Sequence, residues 1–340
     1  MIGNKIMEKI LACFGREEKG KTPTQDEGPR STTRQRVGDF TTSDSTSTSS
    51  SQVAGGISLR MAPGTAQAGG KPLHVAAGSV GQLVVSEPAP GILLVRLNRP
   101  ESLNCINSEG HAELEKIWRR LDEDPSLKVG IITGTGRAFC AGADLKEWNS
   151  ANQSNSQRPM PPSGFGALSR RTGLKPVIAA VNGICFGGGC EIIVNCDLVL
   201  ASPSATFALP EVKRGVVAIA GALPRIVRTI GRPRAMEMAL TGRTVSAKEA
   251  AGWGLINGVV QGDVVAEAVK MGQMIAENSP DAVIVSREGV KLGWEGIGAE
   301  EGSRLLIDQW YPRLLRGENI KEGVKAFVEK RKPVWKEAKL

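Results

Sequence analysis

The sequence predicts an α/β fold with a helical C-terminal part, carried behind a disordered N-terminal extension. Three observations lead there. Short apolar runs rich in Val, Ile and Leu come first and are interleaved with helical patterns. From Ala220 to Glu337 helical patterns fill most of the chain. Residues 1–80 show neither pattern: their apolar residues are scattered, and Thr41–Ser51 is almost wholly Ser and Thr. Such a stretch buries too little apolar surface to offset its ordering entropy. Residues 81–340 then form a single globular unit, and a chain that is 41% hydrophobic has enough apolar side chain for a real core.

The elements follow in order. Gln82–Val85 and Ile92–Leu97 are β-rich runs separated by the turn cluster Pro88-Ala89-Pro90-Gly91. Asn107–Leu121 is helical, with Ser108 as N-cap and Leu114, Ile117, Trp118 and Leu121 at helical spacing, and Asp124-Pro125 ends it. Val129–Thr133 is an apolar strand closed by Gly134-Thr135-Gly136. A polar, Pro-rich loop is expected over Asn149–Gly164. Val177–Val181 is a second buried strand ending at Asn182-Gly183, followed by a helix at Gly188–Val194 and strands at Leu198–Ala201 and Thr206–Ala208.

Composition excludes several chemistries. The only histidines are His74, in the extension, and His111, near the start of a helix; no Gly-x-Ser-x-Gly elbow accompanies them. The six cysteines form no C-x-x-C pair, so zinc spacing is absent and no metal site is expected. No secretory pattern is visible, which predicts reduced thiols in an intracellular protein. No apolar run approaches 18 residues, so no membrane span is expected. The net charge of +8 divides into +3 over residues 1–80 and +5 over the remainder. That excess suits a polyanionic small ligand. Nucleic acid is a weaker fit, because the basic residues are dispersed and aromatics, at 4%, offer few stacking platforms.

Three segments carry chemistry. In Arg137–Glu147 a strand feeds a Gly/Ala-rich turn, with Asp144 as the N-cap of a short helix and free N–H groups at its start. In Asn182–Glu191 three successive glycines open a helix and present N–H groups to a ligand at its positive end. Neither a Walker lysine nor the G-x-G-x-x-G spacing is present. Glu191 falls in the first turn of that helix, where it could also simply complement the dipole. Glu211 follows Pro210 between apolar Phe207 and Val212, a setting that raises a carboxyl pKa as a proton donor requires; its bland reading is an exposed loop residue. Together these suggest a site where charge develops on an oxygen while protons move at carbon.

The ordered set resembles the enoyl-CoA hydratase/isomerase (crotonase) superfamily over about Val84 to Lys336. The resemblance is carried by Leu97-Asn98-Arg99-Pro100 with Leu103-Asn104, Ala138–Glu147, Lys175–Cys196, Met236–Ala251 and Glu322–Pro333. It implies a spiral of ββα units with a C-terminal helical trimerisation region, assembled as a homotrimer or homohexamer. It also implies an oxyanion hole from the N–H groups of Ala143 and Gly188, and catalysis by Glu191 and Glu211. Ala143, Asp144, Leu145 and Lys146 would flank a bound acyl-CoA, with Phe327 and Lys330 helping from the C-terminal region. Coenzyme A enters as part of the substrate, and no separate cofactor is implied. Two departures, Leu209 before Pro210 and the stretch Gly215–Pro224, bear on the shape of the acyl pocket and leave the acyl chain open.

Hydration of a 2-enoyl-CoA is the leading function, with Δ3,Δ2-isomerisation on the same fold as its rival and RNA binding as an alternative of another class. The final Ala338-Lys339-Leu340 is a conservative variant of Ser-Lys-Leu, which predicts recognition by the peroxisomal import receptor from an exposed tail. A mitochondrial address is the alternative, opposed by the acidic residues Glu8, Glu17, Glu18, Asp26 and Glu27 near the N-terminus.

Overall fold

The structure, a computed structural model, describes residues 78–153 and 160–340. The extension expected over 1–80 therefore lies outside the described residues except at its end. There Gly78–Val80 (β1) already pairs antiparallel with Leu83–Ala89 (β2), three residues before the expected boundary.

The chain continues through β3 (Ile92–Leu97), α1 (Ser108–Glu123), β4 (Val129–Gly134), β5 (Ala138–Cys140), α2 (Leu145–Gln153), β6 (Val177–Val181), β7 (Ile184–Phe186), α3 (Gly188–Val194), β8 (Leu198–Ala201) and β9 (Thr206–Ala208). Helices α4 (Ala222–Ile230) and α5 (Arg232–Thr241) follow. After them come β10 (Val245–Ser246), α6 (Ala247–Trp253) and β11 (Gly258–Val259). The helical C-terminal part is α7 (Val264–Ala276), α8 (Pro280–Trp294), α9 (Ala299–Leu305), α10 (Tyr311–Arg316) and α11 (Asn319–Val328).

Two sheets wind together. One has the order β1-β2-β3-β4-β6-β8-β11, parallel from β3 onward; the other has the order β10-β9-β7-β5. Each turn of the chain lays one strand in the first sheet and the next in the second: β4 then β5, β6 then β7, β8 then β9. The parallel pairs β5·β7 and β7·β9 bring the C-terminal ends of successive turns side by side. This is the expected spiral.

The pleat explains why the first sheet reads as continuous apolar runs. Leu93, Val95, Ile132, Ala179 and Val181 face one core, whereas Ile92, Leu94, Ile131, Ile178 and Ala180 face a second core beneath α7. On the first side α1 packs so closely that a methyl group at Gly130 would lie 2.8 Å from Leu121 and 2.9 Å from Trp118. On the second side Gly272 of α7 rides over Ile92.

Several local expectations are corrected. Asn107, not Ser108, caps α1, because its side-chain oxygen accepts the Gly110 N–H at 2.9 Å. Helix α2 extends to Gln153 into the segment expected as loop. The C-terminal tail is docked rather than free. Trp335 Nε1–H donates to the Glu277 carbonyl at 2.7 Å, Lys339 N–H donates to Asp281 Oδ1 at 3.0 Å, and Leu340 is half-buried in a cleft of about 260 Å³ that also borders Leu127 and Ile284.

Candidate active site

Strands β5 and β7 are parallel neighbours, so the turns leaving their ends, Gly142-Ala143 and Gly187-Gly188, meet. A methyl group at Gly142 would lie 3.2 Å from the backbone nitrogen of Gly188. Ala143 is held by a bridge to Ile106: Ile106 N–H donates to Gly142 C=O at 3.0 Å, and Asp144 N–H donates to Ile106 C=O at 3.2 Å. In a parallel bridge the amide of the middle residue points the other way. Gly188 is the first residue of α3, where helix geometry provides no acceptor. Among the described residues neither the Ala143 nor the Gly188 N–H has a hydrogen-bond partner.

Glu191 sits in the first turn of α3 and is 5% exposed. Its Oε1 accepts the Ala222 N–H at 3.3 Å, at the opening of α4. Burial pushes its pKa up to about 7; the Ala222 amide opposes that shift, the charge of Glu211 adds to it, and the amides of Ala220 and Gly221 oppose it again. A carboxyl balanced in this way exchanges its proton near neutral pH.

Glu211 lies in a 3₁₀ turn, Pro210–Arg214, with its carboxyl against the second glycine turn: a methyl group at Gly187 would lie 3.2 Å from Oε1. Its Oε2 is buried with no hydrogen-bond partner among the described residues. Burial raises its pKa, against the pull of its own backbone amide and of Arg214. Its charge also favours the protonated form of Glu191.

The start of α2 adjoins the first turn. Asp144 accepts the Lys146 N–H at 3.1 Å, which caps the helix as expected, and is paired with Arg99 at 3.1 Å. Leu145 and Lys146 are exposed beside it. Phe327 and Lys330 stand at the end of α11, exposed; α11 packs on α8. The structure thus gathers Ala143, Gly188, Glu191 and Glu211 with the Asp144–Lys146 helix start. Among the described residues, no hydrogen bond or ion pair joins Phe327 or Lys330 to them.

Sequence reading missed three contributors. The ring of Phe165 forms the wall beside Gly188: a methyl group there would meet it at 2.5 Å. The amides of Ala220–Ala222 face Glu191, and Arg99 fixes Asp144. The available signals were Phe165 set between Gly164 and Gly166, and Gly221 just ahead of a helix.

Paired sheets wound as a spiral, glycine turns meeting at adjacent strand ends and a helical C-terminal part define the crotonase-like fold. The chain belongs to the enoyl-CoA hydratase/isomerase family, whose model matches residues 87–338. It is an enzyme of the enoyl-CoA hydratase type, a hydro-lyase. It is 54% identical over 258 residues to the mevalonyl-coenzyme A hydratase of Aspergillus fumigatus, covering 76% of this chain and 96% of the relative. It is 50% identical over 266 residues to that of Beauveria bassiana, covering 75% and 95%. A mitochondrial enoyl-CoA hydratase of Pongo abelii is 37% identical, covering 72% and 83%. Among solved structures, an enoyl-CoA hydratase from Mycobacterium tuberculosis superposes with a TM-score of 0.69 at 32% identity, covering 76% of this chain and 99% of the other.

Proposed function

We propose that this enzyme interconverts a 3-hydroxyacyl-CoA and its 2-enoyl-CoA by loss or addition of water, and that the acyl group is mevalonyl. The observation that carries the reaction is the placing of Gly188 and Glu191 in one turn of α3, with Glu211 against the preceding Gly187. In the hydration direction, water adds at C3 and negative charge passes to the thioester oxygen. The Ala143 and Gly188 amides receive it; one such donor typically contributes about 3 kcal/mol to the transition state. Glu191 takes the proton from water and Glu211 delivers one to C2. In dehydration the roles reverse: Glu211 removes the C2 proton, and Glu191 protonates the departing C3 hydroxyl. A Glu191 pKa of about 7 serves both directions.

The two fungal relatives named as mevalonyl-coenzyme A hydratases, matched over nearly their whole length, support the acyl assignment. Mevalonyl carries a methyl and a hydroxyl on C3, so water leaves a fully substituted carbon. Asp144, Leu145 and Lys146 are assigned to flanking the CoA moiety, with Phe327 and Lys330 contributing from the C-terminal region. A homotrimer or homohexamer is the proposed assembly, checked by sedimentation. Peroxisomal import through Ala338-Lys339-Leu340 is the proposed address. The rival is the mitochondrion, a word carried by the Pongo abelii relative. A fluorescent protein fused ahead of the last dozen residues separates the two.

The deciding experiment follows conjugated-thioester absorbance with mevalonyl-CoA, short and long straight-chain 2-enoyl-CoAs, and a 3-enoyl-CoA. Mevalonyl-CoA is expected to give the highest kcat/KM. A straight-chain substrate turned over ten times better overturns the acyl assignment; turnover of the 3-enoyl thioester alone overturns hydration in favour of isomerisation.

A further inference from the structure

Ser169 is completely buried, and its hydroxyl bridges two segments that the site depends on. It accepts the Phe165 N–H at 2.7 Å and donates to the Ala220 carbonyl at 2.7 Å, across 51 residues of sequence. At the first end, Phe165 is the wall against Gly188. At the other, Ala220 opens the run of amides, Ala220 to Ala222, that faces the Glu191 carboxylate.

At the Ala220 end Arg225 Nη1 donates to the Gly221 carbonyl at 3.2 Å and the Ala222 N–H donates to Glu191, but the helix that follows leaves the Ala220 carbonyl to Ser169. The residue four positions on is Pro224, which has no N–H, so the helix cannot take up the Ala220 carbonyl. The next residue, Gly221, has φ +120°, a left-handed conformation outside regular structure. A hydroxyl has one proton to donate and lone pairs to accept with, and here both functions are used in a site without water access.

We propose that Ser169 is a positioning residue: its single hydroxyl sets the wall beside the Gly188 amide and the amide cradle of Glu191 together, and so holds the water-activating carboxylate in register with the groups that hold the thioester oxygen. This rests on the roles given above to Gly188 and Glu191. Ser169 touches no reacting atom, and removing its hydroxyl misaligns two groups that must act in the same step. Loss of register lowers kcat more than it raises KM. A loosened cradle also withdraws N–H donors from the Glu191 carboxylate while the charge of Glu211 still acts on it, so the proton leaves at higher pH.

The test uses the full chain with Ser169→Ala and Ser169→Cys. The cysteine is near in size and holds the packing, while its thiol is a weak hydrogen-bonding group. Both are expected to lose kcat by about 10- to 100-fold, with KM within about threefold. The limb of the kcat/KM pH profile that reports Glu191 should move to higher pH. Folding is read separately from the thermal midpoint, and if the alanine variant does not fold, the cysteine variant carries the comparison. The proposal is overturned if Ser169→Cys keeps kcat within twofold of the parent, or if its pH limb stays in place. The underlying reading fails differently, through a Glu191→Gln enzyme that turns over normally.

Discussion

The ring of Phe165 occupies the space that a side chain at Gly188 would need, 2.5 Å from the position of its Cβ. Adding one carbon therefore forces either the ring or the first turn of α3 to move. The ring is held through the Phe165 N–H and Ser169, so part of the shift falls on the Gly188 amide. Gly188→Ala should lower kcat by about 100-fold or more, the scale of losing one oxyanion donor. The secondary structure should remain intact by circular dichroism. Near-normal turnover in a folded Gly188→Ala protein would remove that amide from the mechanism.

The two carboxyls share a site but have distinct assignments, which single substitutions resolve. Glu191→Gln and Glu211→Gln should each reduce hydration by about 100-fold or more while leaving CoA-thioester binding nearly unchanged. Steady-state turnover paired with a ligand-binding titration measures both. A variant with near-full turnover loses its assignment.

Stability should respond to pH through Glu191. Its folded-state pKa of about 7 stands above the ordinary value of 4.5, so the folded protein binds an extra proton between the two. The stabilising effect of that proton is complete below about pH 4.5 and is lost as pH rises through 7. Glu191→Gln has no such proton to lose. Relative to the parent it should gain stability between pH 4.5 and pH 8, by up to about 3 kcal/mol. Denaturant melts of both proteins at the two pH values check this; a difference independent of pH would place the Glu191 pKa near its ordinary value.

The sequence disclosed most where a physical signal was local. Strands β3, β4, β6 and β8 stand out because they are apolar on both faces, and α3 because three glycines precede an apolar turn. Strand β7 is not legible in this way: it is three residues long and is defined by pairing with β5, some 45 residues back, and with β9, about 22 residues on. Ala143, Gly188, Glu191 and Glu211 were legible through the ordered family motifs. Their supports were not, because Ser169 finds Ala220 51 residues away and Glu191 finds Ala222 31 residues away. No periodicity or spacing reports such pairs.

The start of the folded body is open to a truncation series. The sequence places its boundary at residue 80, whereas β1 pairs Gly78–Val80 onto β2. A chain beginning at Gly69 should keep full activity. One beginning at Gly81 loses only an edge strand and should stay active with a thermal midpoint lower by a few degrees, the effect of about 1 kcal/mol. Loss of the fold in the Gly69 chain would show that the extension contributes to the core.

The docked tail yields a last prediction. Asn319 is almost completely buried (1% exposed), and its amide is used on both sides. Nδ2 donates to Asp281 Oδ2 at 2.6 Å and to the Lys336 carbonyl at 3.0 Å, and Oδ1 accepts the Lys336 N–H at 2.8 Å. Asp281, also buried, uses its other oxygen for the Lys339 N–H. One asparagine thus orients the carboxylate that holds the tail and grips the tail directly. Each such bond contributes about 1 kcal/mol net, and leaving Asp281 short of a donor costs more. Asn319→Ala should therefore release residues 336–340 while the two sheets stay intact. Carboxypeptidase digestion followed by mass spectrometry reads this directly: Leu340 and Lys339 should be removed at least tenfold faster from the variant than from the parent. If import runs through Ala338-Lys339-Leu340, the same variant should also bind the import receptor more tightly, approaching the affinity of a free tail peptide, because the undocking equilibrium no longer opposes binding. Equal digestion rates would mean that the tail exchanges freely despite its contacts, and that the Asn319–Asp281 pair does not control its exposure.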